Sequence, residues 1–286
     1  MSSSTIAAVI VLVVLTILVL IAAGYIAFLF GATLLRRLFD GTWAPGLWRA
    51  GYDEIWAGAR IATWSVHDRR NRLPPRKDPH TAAGASVVVV LVHGAAVDGS
   101  CMKGWAAAVV DSGIEAPILA PDHGIITAPL SLHGARLNAF LHQVLEVEPG
   151  ISFVLVGHSM GGLVMRRALA DDAIIRAATI GAVTVATPHL GTAFARHGRI
   201  ERLLQLSPGH LTVTGLPPLS TLVLRAVTFG SRHDVIVYPY ENTVQEGVRD
   251  EVIAGHGHAA LLTDPVVARQ VADAVKSLIV DAGRLP

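Results

Sequence analysis

The segment Ile151–Ala170, ISFVLVGHSMGGLVMRRALA, constrains the fold more than any other stretch of the chain. ISFVLV is a short, β-branched apolar run of the kind that forms a strand buried on both faces, and LVMRRALA has the pattern of a helix. Only six residues separate them, so the chain must reverse in a sharp strand-to-helix turn. A serine on such a turn holds a strained backbone, and Gly157 and Gly161 supply the small residues that close packing on its two sides demands. The turn carries Ser159 Oγ to the C-terminal edge of a sheet and leaves the Met160 N–H at a helix N-terminus, where it can stabilise a negative oxygen. A bare G-x-S-x-G is a weak signal. Flanked by a strand and a helix, Gly157-His158-Ser159-Met160-Gly161 marks Ser159 as a nucleophile rather than part of a glycine-rich turn.

The surrounding sequence repeats the alternation. Ser86–Val92, Ala116–Ala120, Ile151–Val156, Thr179–Ala186, Leu222–Phe229 and Glu251–Ala254 are expected as strands, and Met102–Asp111, Leu132–Val147, Gly161–Ala170 and Pro265–Val280 as helices. Asp264 is the expected N-cap of the last helix, with Pro265 in its first turn. Strands alternating with helices imply an α/β fold with a mainly parallel central sheet and helices on both faces.

A serine hydroxyl needs a base, and the base needs a carboxylate to orient it. Among thirteen histidines, His258 stands out in Gly255-His256-Gly257-His258, a loop after a short strand from which a ring can swing over the sheet edge. His256 is its competitor. Asp234, in SRHDVIV after the strand ending at Phe229, reaches the same edge, with Asp250 as a rival and Asp264 better explained as a helix cap. Ser159, Asp234 and His258 then follow one another in the chain order of a nucleophile-elbow enzyme. A second donor to a developing oxyanion is expected in the loop after an early strand: His93-Gly94 makes the turn after Val87–Val92, and the Ala95 N–H is the donor, with Met160 as the other.

Together VVVVLVHG, GHSMGG, ATPHLGT (Ala186–Thr192), SRHDVIV and GHGHAALL resemble the α/β-hydrolase superfamily, and with ATPHLGT its bacterial triacylglycerol-lipase and esterase branch. The resemblance covers the chain from about Ser86 to its end. It implies Ser159 as nucleophile, Asp234 as acid, His258 as base and Ala95 and Met160 as the oxyanion hole, with His93, Gly94, Gly157, His158 and Gly161 as supporting motif residues. It implies ester substrates, lipids among them, and no cofactor. The sequence departs from secreted members of that branch: one cysteine, Cys101, forbids an intrachain disulfide, and no carboxylate pair maps onto a calcium site. His256 and His258 lack a third partner at metal-ligand spacing, so no metal is expected. His189 lines the pocket or holds a loop, and the region to Leu219 forms a lid or an ordinary connection. An acyltransferase or thioesterase could use the same triad, and a membrane-tethered binding protein on a hydrolase scaffold is the non-catalytic alternative.

The chain is 52% hydrophobic and only 16% charged, with a mean hydropathy of +0.51. That apolar excess is concentrated in Ile6–Phe30, which holds no charged residue and would span roughly 37 Å as a helix, enough to cross a bilayer. With no Lys or Arg before Arg36, the run is expected to be an uncleaved anchor rather than a cleaved signal. Arg36 and Arg37 on its C-terminal flank favour a cytoplasmic catalytic domain. Residues 1–35 are thus expected as a membrane anchor, 36–85 as a juxtamembrane and linker segment, and 86–286 as the catalytic domain. Within the middle segment Trp43, Trp48, Trp56 and Trp64 suit either the bilayer surface or a cover for the domain that follows. A net charge of +1 gives no general attraction to nucleic acid.

Overall fold

The computed structural model describes residues 31, 34–35, 37–38, 41, 45–67, 77–95, 97–124, 127–197 and 201–283. The chain forms two compact units, 1–43 and 44–286. The run Ile6–Phe30, Arg36 and Trp43 lie outside the described residues; among those described, no helix is long and apolar enough to cross a membrane.

The second unit begins with a helix, α1 (Leu47–His67), inside the segment expected as a linker. Its buried positions explain it. Leu47, Ala50, Ala57 and Ile61, at positions that fall on one face of a helix, form one apolar stripe, which the more conspicuous tryptophans obscure in the sequence. Trp64 packs against the core, whereas Trp56 is 60% exposed. A six-stranded, all-parallel sheet follows in the order β2-β1-β3-β4-β5-β6. After β1 (Val87–Val92) come α2 (Lys103–Asp111), the two-residue β2 (Ile118–Leu119) and α3 (Leu130–Val147). The centre is built by β3 (Ser152–His158), α4 (Met160–Asp171), α5 (Ala173–Ala178) and β4 (Thr179–Val185). Three four-residue helices, α6 (Glu201–Leu204), α7 (Leu211–Thr214) and α8 (Leu219–Leu222), lead to β5 (Ala226–Ser231) and β6 (Arg249–Ile253). The chain closes with α9 (Ala260–Thr263) and α10 (Pro265–Asp281).

The period-2 geometry of a strand divides the core in two. Val87, Val89 and Leu91 of β1 face α2 and α10 around Trp105, Val271 and Leu278, while Val88, Val90 and Val92 face α3 and α4 around Leu137, Leu141 and Leu163. Every residue of β1 and β3 is buried, as continuous apolar runs require. The expected helices are all present to within two residues, and Asp264 caps α10 by accepting from the Val266 and Val267 amides at 2.7 and 3.2 Å. Two strands differ from expectation. Ala116–Ala120 pairs only at Ile118–Leu119, and the strand expected to start at Leu222 starts at Ala226, because Leu219–Leu222 winds into α8 behind Pro218. Chain order reverses between β1 and β3, so their C-terminal ends frame the crevice in which parallel sheets place ligands.

Candidate active site

β3 ends at that crevice, and Ser159 follows it with φ of 56° and ψ of −127°. Ser159 and Ala186, at the ends of the neighbouring strands β3 and β4, are the two non-glycine residues with positive φ among the described residues. Such a conformation costs about 1–3 kcal/mol and persists only where its surroundings dictate it. Here the Ser159 N–H donates to the Val185 carbonyl at 2.9 Å, and the Gly162 N–H donates to the Ser159 carbonyl at 3.1 Å. The glycines let α4 close onto the sheet. A Cβ at Gly161 would lie 2.1 Å from the Val92 carbonyl oxygen, and one at Gly157 would lie 2.7 Å from the Gly162 nitrogen.

The structure brings the three sequence-identified residues into one hydrogen-bonded chain. Ser159 Oγ donates to His258 Nε2 at 2.8 Å, and His258 Nδ1 donates to Asp234 Oδ2 at 2.7 Å. The other carboxylate oxygen, Oδ1, accepts from the Ile236 and Val237 amides at 2.7 and 2.9 Å, which fixes the acid after β5. Asp234 is 1% exposed and the His258 side chain 11%. Burial disfavours a charge on His258, but the adjacent Asp234 carboxylate, its hydrogen bond and the charge of Glu54 outweigh it and hold the imidazole above the ordinary histidine value. The rivals are engaged elsewhere: His256 faces Asp264 at 3.1 Å, and Asp250 accepts from Thr228 Oγ1 at 2.8 Å.

Beneath His258 lies the His158 ring, centroids 4.7 Å apart, with Nε2 donating to the His258 carbonyl at 3.1 Å. Burial drives His158 well below the ordinary histidine value, so it acts as a neutral support. On the other side of the crevice Gly94 passes so close that a Cβ there would lie 3.1 Å from Ser159 Cβ. This loop rests on three buried histidines. His93 Nδ1 donates to the Gly94 carbonyl at 2.9 Å, and its ring stacks on His123 at 3.9 Å. His123 Nε2 in turn donates to the His93 carbonyl at 2.9 Å, and His133 Nδ1 donates to the His123 carbonyl at 2.9 Å. Every ring nitrogen facing a carbonyl must carry a proton, which fixes the donor nitrogen of each ring, and His133 Nε2 stays buried without a partner among the described residues. Burial pushes His123 down to about 3 and lowers His93 as well. The stack therefore fixes the backbone on which Ala95 stands. The Met160 N–H opens α4 and belongs to the first turn, whose amides helix geometry leaves without an internal acceptor.

His189 serves structure rather than the crevice. It is buried, bonded through Nε2 to Thr184 Oγ1 at 2.9 Å and close to Arg166 at 3.3 Å. Arg166, buried on α4, donates to the carbonyls of His189, Leu216 and Pro217 and so ties the connection between α7 and α8 to the helix behind Ser159. Cys101 is buried, and burial raises its thiol far above the ordinary value, which leaves it protonated and inert. Among the described residues no His, Cys, Asp and Glu side chains form a metal-binding group.

Besides His123 and His133, an acid at the site is absent from the sequence motifs. Glu54 of α1 accepts from the Ala259 N–H at 2.6 Å and the Ala260 N–H at 3.1 Å, the two amides that follow His258. The available signal was its position, a lone acid within the apolar stripe of Leu47, Ala50, Ala57 and Ile61. A groove of about 880 Å³ lies behind the histidine loop, lined in part by Arg49, Trp56, Arg60 and His256, and does not include Ser159.

A parallel sheet with a strained serine turn between β3 and α4 defines the α/β-hydrolase fold, and comparison with known proteins agrees. The PGAP1-like alpha/beta domain family matches residues 136–253. Aspergillus fumigatus lipase B is similar in structure with a TM-score of 0.59 at 15% identity over 72% of this chain. The chain spans only 55% of that lipase. A Bacillus licheniformis lipase gives 0.54 at 16% identity, covering 71% of this chain and 94% of its own. An esterase from Thermogutta terrifontis gives 0.51 at 19% identity, covering 68% and 92%. No curated protein matches the chain. The fold shared is that of lipases and esterases.

Proposed function

We propose that this protein is a serine hydrolase that cleaves carboxylic esters through an acyl-enzyme on Ser159. The observation that carries the reading is the unbroken chain from Ser159 Oγ through His258 to Asp234, at 2.8 and 2.7 Å. His258 Nε2 takes the hydroxyl proton as Oγ attacks the acyl carbon, and Asp234 stabilises the imidazolium that forms. The amides of Ala95 and Met160 hold the oxyanion, each contributing about 2.7–4 kcal/mol to the transition state. His258 returns the proton to the leaving alcohol. Water then attacks the acyl-enzyme, His258 again acting as base, and the carboxylic acid departs.

The substrate class is proposed from the surroundings of the site. Tyr52, Ile55 and Trp56 on α1 are exposed, and the apolar run Ile6–Phe30 would hold the enzyme on a bilayer, where acylglycerols or phospholipids are the accessible esters. Relatives in fold that are lipases support the same class. The Arg36-Arg37 flank supports a cytoplasmic domain, which protease protection of sealed vesicles tests.

The decisive measurement is hydrolysis of p-nitrophenyl esters of increasing chain length by the purified parent and by Ser159→Ala. The parent should turn over and the variant should lose activity and fluorophosphonate labelling together. An equally active Ser159→Ala would sink the proposal. Adding a competing alcohol or thiol during turnover separates hydrolysis from acyl transfer.

A further inference from the structure

We propose that Glu54 is a positioning residue for His258: from α1 its carboxylate grips the two amides following the histidine and so sets the ring between Ser159 and Asp234. This role rests on the ester-hydrolase reading above.

The local chain cannot hold this loop by itself. α9 begins directly after His258, and its N-cap position is occupied by Ala259, which has no side chain to satisfy the first amides. Glu54 supplies that acceptor from 205 residues away in sequence, at 2.6 Å from Ala259 N and 3.1 Å from Ala260 N. Gly257 is shaped to admit it. A Cβ there would lie 2.5 Å from Glu54 Oε2 and 3.1 Å from the Ala50 carbonyl, so any larger residue would push α1 off the loop. With His158 holding the His258 carbonyl on the opposite side, the backbone of the catalytic histidine is clamped between two side chains.

The clamp is also electrostatic. The groups facing His258 are Ser159, Asp234, the buried neutral His158 and Glu54, so Glu54 is a second negative charge beside the imidazolium formed during attack. Burial, with the Asp234 charge, holds the Glu54 carboxyl above its ordinary value against the His258 charge and the Ala259 and Ala260 amides, and a proton gained by His258 strengthens the opposing pull toward the ionised form. A purely packing residue at this position would hold the loop without changing the basicity of His258. Glu54 does both.

The test compares the parent with Glu54→Gln and Glu54→Ala in the full chain. Glu54→Gln keeps size and one acceptor but removes the charge, so the acid limb of the kcat/KM profile should move to lower pH. Glu54→Ala leaves both amides without this acceptor, and loss of alignment should lower kcat about 10- to 100-fold with KM nearly unchanged, since Glu54 touches no substrate. Ser159 labelling by a fluorophosphonate should slow in parallel; its rate constant is read on labelled molecules and is independent of the folded fraction. An active parent with Glu54→Gln showing the parental pH profile, or variants that melt earlier yet label at the parental rate, would overturn the role. A parent that neither turns over esters nor labels would instead overturn the ester-hydrolase reading, and the role with it.

Discussion

In the proposed mechanism Asp234 acts on chemistry only through His258. Its Oδ1 is occupied by two backbone amides, so Oδ2 is directed at His258 Nδ1, and the ring must present Nε2 to Ser159 in its basic, unprotonated form. Asp234→Asn would put an amide where that carboxylate stands and favour the wrong tautomer. Its kcat on a short ester should fall about 10⁴-fold while the fold, followed by circular dichroism, is retained. His158 illustrates the complementary limit at this scale. The sequence shows it only as the variable position of G-x-S-x-G, and its support of the His258 carbonyl depends on a residue 100 positions away.

At the scale of elements, the serine turn is local and the site is not. β3, the glycines and α4 are adjacent in sequence, so apolar run, turn and helix were legible together. α1 was not, because its stripe uses small alanines and its partner, the histidine loop, lies at the far end of the chain. The same holds for α8, which hides in a run of apolar residues until Pro218 and the Gln245 side chain, accepting from the Leu219 N–H at 2.8 Å, fix its start. Arg166 links two such elements. Burial lowers its guanidinium to about 10, still charged at neutral pH, and its donors go to main-chain carbonyls of the α7–α8 connection and of His189. Arg166→Ala should cost about 1–3 kcal/mol in urea unfolding by leaving those acceptors unpaired, and should increase protease cleavage near Leu216.

For the molecule as a whole, buried histidines set opposing pH responses. His258 must be neutral to act as base, and its value lies above 6.5, so kcat/KM should rise with pH through a midpoint on the alkaline side of that value. Stability responds in the same direction through the supports. His93, His123, His158 and His189 all have folded values below 6.5, so each contributes stability that is complete above 6.5 and is lost as pH falls toward its folded value, about 3 for His123. Among the shifted histidines His258 alone has the opposite sign, contributing stability below 6.5 that is lost as pH rises through its raised value. With four of these histidines against one, the melting temperature should drop between about pH 7 and pH 4, and a flat profile would contradict the burial of those four rings in neutral form. By itself the sequence determined the alternating strands and helices, the serine turn and the residue types of the relay, because these depend on neighbours within a few positions. Tertiary structure alone decided that His258 rather than His256 meets Ser159, that three histidines carry the Gly94 loop, and that Glu54 grips the loop of His258. Each of these is a contact across the sheet edge, where side chains from distant strands converge and periodicity carries no information about which will touch.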